Sequence, residues 1–138
     1  MFDLDWLGQL YPVPDEDDPH NMELQIRSFA AVLPHFIEGG ARYLVVGSTI
    51  ERRDQLDRFI SAIDATDVTV VLAKASPATV HDRVRERESS PRLLEDFLAR
   101  TDALAATIEE AALHDLAVWN DGRDITEVAH EVLDHLGW

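Results

Sequence analysis

The sequence predicts an α/β fold: three layers, with a mostly parallel sheet of about four strands and helices on both faces. Two near-continuous apolar runs carry this expectation, Arg42–Gly47 (RYLVVG) and Val68–Ala73 (VTVVLA). Apolar residues at successive positions, many of them β-branched, mark strands covered on both sides. A third run, Leu116–Trp119, follows after helix-length segments, and strands separated by helices imply right-handed crossovers into a parallel sheet. The expected strands are 2–5, 42–48, 68–74 and 116–119. The expected core includes Leu44, Val45, Val46, Val70, Val71, Leu72, Val118, Val128 and Leu133.

Each element has a local reason. In Met1–Asp5, Phe2 and Leu4 alternate with Asp3 and Asp5, the period of a short strand. Residues 8–21 hold three prolines and four consecutive acids, Asp15–Asp18, and read as a loop. Asn21 is the expected N-cap of a helix running to Glu38, with Leu24, Phe29, Ala30, Val32, Leu33 and Phe36 at its apolar positions. Pro34 is expected to kink it and Gly39-Gly40 to end it. The next helix runs from about Arg52 to Ile63, with Leu56, Phe59, Ile60 and Ile63 on one face. Ser76-Pro77 supplies a cap and a first-turn proline for a helix to about Glu88. Ser90-Pro91 repeats the device for a helix to about His114. Asp124 to Glu127 reads as a capping box, with Ile125, Val128, Ala129, Val132, Leu133 and Leu136 as the apolar positions of the helix it opens. Neither a repeat nor a long linker divides the 138 residues, so a single domain is expected.

Composition narrows the function classes. The chain is 46% hydrophobic and 28% charged, a globular balance. No stretch approaches the ~18 apolar residues of a membrane span, and MFDLDWLGQL lacks a basic signal-peptide start. With no cysteine, disulfides, thiolate catalysis and Cys-type zinc sites are excluded. A cytoplasmic protein without membrane contact is the expectation. Twelve basic against 27 acidic residues give a net charge of −15, a field that repels nucleic acid. Arg83, Arg85, Arg87 and Arg92 invert that sign locally. The six histidines form no H-E-x-x-H pattern, no G-x-S-x-G elbow is present, and Asp15–Asp18 lacks the spacing and glycine of a calcium loop. No G-x-x-x-x-G-K-[ST] phosphate loop occurs, since Gly39-Gly40 is followed by Ala41-Arg42. Lys74, the only lysine, ends a strand with no glycine-rich turn beside it.

Four segments together resemble small P-loop kinases of the nucleotide, adenylylsulfate and gluconate kinase type, and more narrowly a group of small actinobacterial kinase-like ATPases. They are DLDWLGQLYPVPDEDDPHN, GGARYLVVGSTI, LAKASPATVHDRVRERE and VWNDGRDITEVAHEVLDHLGW. The match covers nearly the whole chain but begins at the family's second strand, so the first strand, its phosphate loop and its helix have no counterpart. In that fold the first strand lies mid-sheet, and its loss leaves a gap in the backbone ladder.

The resemblance implies roles for particular residues. Asp5 and Asp3 correspond to acids that orient the acceptor hydroxyl or reach the metal; the alternative is polar alternation on an exposed strand. Arg27 corresponds to an arginine that binds the acceptor's anionic group, against a plain ion pair with Glu23. Arg83 and Arg87, one helical turn apart, correspond to lid arginines that close on the transferred phosphate; salt bridging with Asp82, Glu86 and Glu88 is the competing reading, and the one preferred for Arg85. Asn120, Asp121, Gly122 and Arg123 correspond to the loop beside the nucleotide base, against a simple turn before a capped helix. Ser48-Thr49 offer hydroxyls but no carboxylate, so no metal ligand is assigned.

ATP and Mg²⁺ are implied by the resemblance alone, and neither is expected to bind this chain tightly. The leading expectation is a chain like an ATP-dependent small-molecule phosphotransferase, lacking the phosphate loop and inactive alone. The alternative is a non-catalytic module that assembles with itself or with a partner polypeptide at an uncovered sheet edge. An unrelated enzyme on a similar scaffold ranks last, because fold does not fix function.

Overall fold

A computed structural model describes residues 1–10, 18 and 20–138. The chain is mixed α/β, and it divides into two units, Met1–Val68 and Thr69–Trp138.

The first unit is built on a helix that the sequence makes amphipathic. Strand β1 (Phe2–Asp3) leads into a 3-10 helix (Leu4–Gly8), then α1 (Met22–Glu38), β2 (Val46–Gly47) and α2 (Arg53–Ile63). Met22, Ile26, Phe29 and Leu33 recur at helical spacing and are all buried, so one stripe of α1 forms the core with Leu4 and Phe59. The Phe29 ring stacks on Phe59 at 5.7 Å and meets the edge of Phe2 at 5.1 Å. Strands β1 and β2 pair in parallel, Phe2 opposite Val46, and the Phe2 N–H donates to Val45 O at 2.8 Å.

Several expectations for this unit are corrected. The strand expected over 2–5 stops at Asp3, whose carboxylate accepts the Asp5 N–H at 3.1 Å and turns the chain into the 3-10 helix. The strand expected over 42–48 is reduced to Val46–Gly47, since a two-residue partner can pair only two residues. Asn21 does not cap α1 through its side chain. It takes a left-handed φ of 51° and donates from Nδ2 to Gly8 O at 2.8 Å, while the Asp18 carboxylate accepts the Met22 and Glu23 N–H groups. Of the loop expected over 8–21, residues 11–17 and 19 lie outside the described residues. Helix α1 runs through Pro34 to Glu38. Leu44 and Val46 pack against the core, but Val45, 53% exposed, points the other way. Alternation along β2 allows one face to be covered and not the other.

The second unit holds β3 (Val71–Lys74), α3 (Pro77–Arg87), α4 (Pro91–Ala111), β4 (Leu116–Trp119) and α5 (Ile125–Leu136). Strand β4 coincides with its expected span, whereas β3 starts three residues later than expected. The two pair in parallel from Val71 opposite Leu116 to Lys74 opposite Trp119. Val70 O accepts from Leu116 N at 3.2 Å, Asn120 N donates to Lys74 O at 2.9 Å, and the Asp115 carboxylate accepts the Val70 N–H at 2.8 Å. Ser76 Oγ accepts the Thr79 N–H as the cap of α3, and Asp124 does the same for Thr126 at the start of α5. Helix α4 ends before His114 because Ala112 adopts a left-handed φ of 45°. Val118 is buried as expected, and Val70, Val71, Leu72 and Val128 are half-buried. Leu133, expected in the core, is 37% exposed.

Among the described residues the strands thus form two separate two-stranded parallel sheets, not one ladder of four. No helix among them is long and apolar enough to cross a membrane.

Candidate functional site

The carboxyl ends of β3 and β4 lie side by side, so the turn into α3 and the turn into α5 emerge together. Open α/β sheets gather ligands at such ends. Here the sequence-predicted residues Asn120, Asp121, Gly122, Arg123 and Arg83 meet.

Asp121 is the hub. Its carboxylate oxygens each lie 2.9 Å from the Ser76 backbone nitrogen, and Oδ1 lies 2.8 Å from Ser76 Oγ. The Thr79 hydroxyl, then the Ser76 N–H and the Ser76 hydroxyl, hold the Asp121 carboxyl below the usual carboxylate range, and Arg83 adds a smaller pull. Arg83 reaches across from α3, its Nη1 donating to Asn120 Oδ1 at 3.0 Å and its Nη2 to Asn120 O at 3.5 Å. Gly122 takes a φ of +62°, which a glycine adopts without strain. Arg123 Nη1 donates to Trp119 O at 2.9 Å and to Glu131 Oε2 at 2.6 Å, tying the loop back to β4 and forward to α5. Lys74 is also engaged: Nζ lies 2.7 Å from Glu109 Oε2 and 5.1 Å from the centre of the Trp119 ring. The ammonium pulls the Glu109 carboxyl below its usual range, by hydrogen bond first and charge second.

The remaining candidates are not drawn into this cluster. Arg85 pairs with Asp82 at 2.9 Å, the salt-bridge reading preferred for it. Arg87 and Arg92 are exposed and make no ion pair among the described residues. Glu88 instead accepts the Ser90 N–H at 2.7 Å. Asp3, Asp5 and Arg27 belong to the first unit. Asp3 and Asp5 are exposed and linked only by the local bond that starts the 3-10 helix. Arg27 is exposed on α1, and its expected partner Glu23 lies 3.5 Å from Arg58. Ser48 and Thr49 are exposed beyond the end of β2.

Sequence reasoning missed the bond network around Ser76. Ser76 was legible as a helix cap, but its partner Asp121 is 45 positions away and carries no local signal of that contact. The His81–Asp102 contact at 2.8 Å, which joins α3 to α4, was missed for the same reason.

By itself, this arrangement offers no open cradle for a nucleoside triphosphate with its metal. The start of α3 is where an oxyanion would dock, and there the Asp121 carboxylate takes the Ser76 N–H while Ser76 Oγ takes the Thr79 N–H. Lys74 is neutralised by Glu109. No group of three or more His, Asp or Glu side chains among the described residues is placed to hold a metal ion. What the cluster does is lock the α3 start, the 120–123 loop and the α5 start into one hydrogen-bonded block. No protein-family model, no curated protein and no solved structure matches this chain.

Proposed function

We propose that the chain is like a small P-loop small-molecule kinase that lacks the phosphate loop, and that it does not transfer phosphate from ATP by itself. The observation that carries this reading is that the described strands form two separate parallel pairs, β1–β2 and β3–β4, where one ladder is expected of the resembled family. Loss of a mid-sheet strand would leave its neighbours unpaired on the sides that faced it. The meeting of Arg83 with Asn120 gives it further support, since the resemblance assigns one to the lid and the other to the base loop.

On this reading the three-layer sheet is completed only when a strand–loop–helix unit is supplied. That unit would bring the backbone cradle, the lysine and the hydroxyl for Mg²⁺. The second unit of this chain would contribute Arg83, Arg87 and the 120–123 loop. Phosphoryl transfer is mainly positioning and charge stabilisation, so loss of the cradle removes most of the rate.

The test is calorimetric titration of the 138-residue chain with Mg-ATP, alone and with a polypeptide that carries the G-x-x-x-x-G-K-[ST] unit. Binding is expected only in the second case. Magnesium-dependent ATP turnover by the chain alone, abolished by Asp5→Ala, would overturn the proposal.

A further inference from the structure

We propose that the outer edge of β3 is a docking site for a strand of a second polypeptide, apolar along its length and basic at its ends. This inference does not depend on the kinase-like reading, because it rests on the β3–β4 pair alone.

Backbone geometry defines the edge. In a strand, successive residues turn their N–H and C=O groups to opposite sides. Val70 O and Lys74 O accept bonds from the β4 strand and its flank, so Val70, Leu72 and Lys74 face β4. Val71 and Ala73 then face the other way, where β3 has no paired strand among the described residues. Each presents one donor and one acceptor, the template that an added strand uses.

The residues of β3 itself carry none of the usual guards of an edge strand. Natural edge strands carry a proline, an outward charge or a bulge that blocks pairing. Val71, Leu72 and Ala73 are uncharged and in regular register with Leu116, Ala117 and Val118. The one candidate guard, Lys74, has its ammonium bound to Glu109 and lying over Trp119. The run VTVVLA has the composition of an interior strand, yet among the described residues its strand portion in β3 stands at an edge.

Charge selects the occupant. A second copy of this chain would bring another −15 to the contact, with 27 acids against 12 basic residues. Like fields oppose association, and a segment with basic ends is drawn in by the same field. The apolar middle follows from the half-buried Val71 and Leu72, which an added strand would flank on both faces of the sheet.

The probe is a fluorescent peptide of alternating valine and threonine with lysine pairs at both ends, added to the full chain. The expected result is saturable binding by anisotropy, with amide exchange at Val71 and Ala73 slowed roughly tenfold and that at Leu72 and Lys74 little changed. Ala73→Pro removes the outward N–H while sparing the bonds to β4, and it should weaken binding at least roughly tenfold. Should that variant fail to fold by circular dichroism, the same peptide N-methylated at alternate residues gives the equivalent loss. Absence of binding overturns the proposal, as does binding that leaves Val71 and Ala73 exchange unchanged or that tolerates both Ala73→Pro and N-methylation. Sedimentation showing a dimer of the chain that Ala73→Pro dissolves would overturn the choice of partner and assign the edge to a second copy.

Discussion

Asp121 and Ser76 are 45 positions apart in sequence, yet both carboxylate oxygens of Asp121 sit 2.9 Å from the Ser76 amide nitrogen. One side chain therefore holds the N-cap residue of a helix that begins on another strand. In ordinary caps the donor and acceptor are neighbours in sequence; here the bond also sets where the 120–123 loop lies against α3.

Replacing that carboxylate tests its role. Asp121→Ala is expected to lower the melting temperature more than Asp82→Ala, whose carboxylate makes only the i,i+3 contact with Arg85. Asp121→Asn should fall between them, since an amide oxygen still accepts from the Ser76 N–H. Thermal melts followed by circular dichroism decide the order.

The pH dependence follows from the direction of the shifts. Asp121, Asp124, Asp54 and Glu109 all have carboxyls held below their usual range in the folded chain. For Asp121 the first cause is Thr79, for Asp124 the Thr126 N–H, for Asp54 Arg52, and for Glu109 Lys74. A depressed carboxyl stabilises fully above its unfolded pKa of about 4. The contribution is lost as pH falls through the lower, folded value, because the unfolded chain binds protons first. Urea melts from neutral to acidic pH should show stability falling below about pH 4, and the gap between wild type and Asp121→Asn should narrow there. A gap that stays constant across that range would assign the effect to packing.

The core of the first unit makes a larger prediction. Phe29 is 0% exposed and touches both Phe2 and Phe59. Phe29→Ala should cost about 3–5 kcal/mol, the range for a large aromatic removed from a packed site. Phe29→Leu should cost clearly less. Denaturant unfolding of the two variants measures both.

Gly8 tests the close approach of the 3-10 helix to α1. A Cβ at this position would lie 2.7 Å from the Gln25 side chain and 2.9 Å from His20 O. Gly8→Ala is therefore expected to destabilise by about 1–3 kcal/mol, the cost of overpacking. An unchanged unfolding midpoint would mean that the Gln25 side chain gives way freely.

What the sequence made legible was what neighbours in sequence determine. The Ser76-Pro77 start of α3, the Asp124 cap of α5 and the span of β4 were read from adjacent residues, because caps and apolar runs are local devices. Strand length was not legible, because pairing sets it: β2 shortens to two residues when β1 turns away at Asp3. Asn21 has the right chemistry for a cap, but its bond to Gly8 O holds it in a left-handed conformation, and Asp18 takes its place. The candidate cluster was legible only in part. Asn120–Arg123 and Arg83 were named, while the bonds of Ser76 to Asp121 and of Glu109 to Lys74 are long-range contacts that no spacing rule encodes.

The two parallel pairs have a further consequence, for the order in which the chain can fold. Phe2 meets Val46 across 44 residues of sequence, and Val70 meets Asp115 across 45. The chain entropy lost on closing a loop grows only with the logarithm of its length, so the two closures carry nearly the same penalty. Neither ladder is long enough to repay that penalty before the intervening chain has contracted: β1–β2 has two residue pairs and β3–β4 has four. Helices contract it locally and quickly, in about a microsecond or less. In each half, then, α1 or the α3–α4 pair is expected to form before the strand ends meet, so that pulse-labelled exchange should protect those helices before β1–β2 and β3–β4.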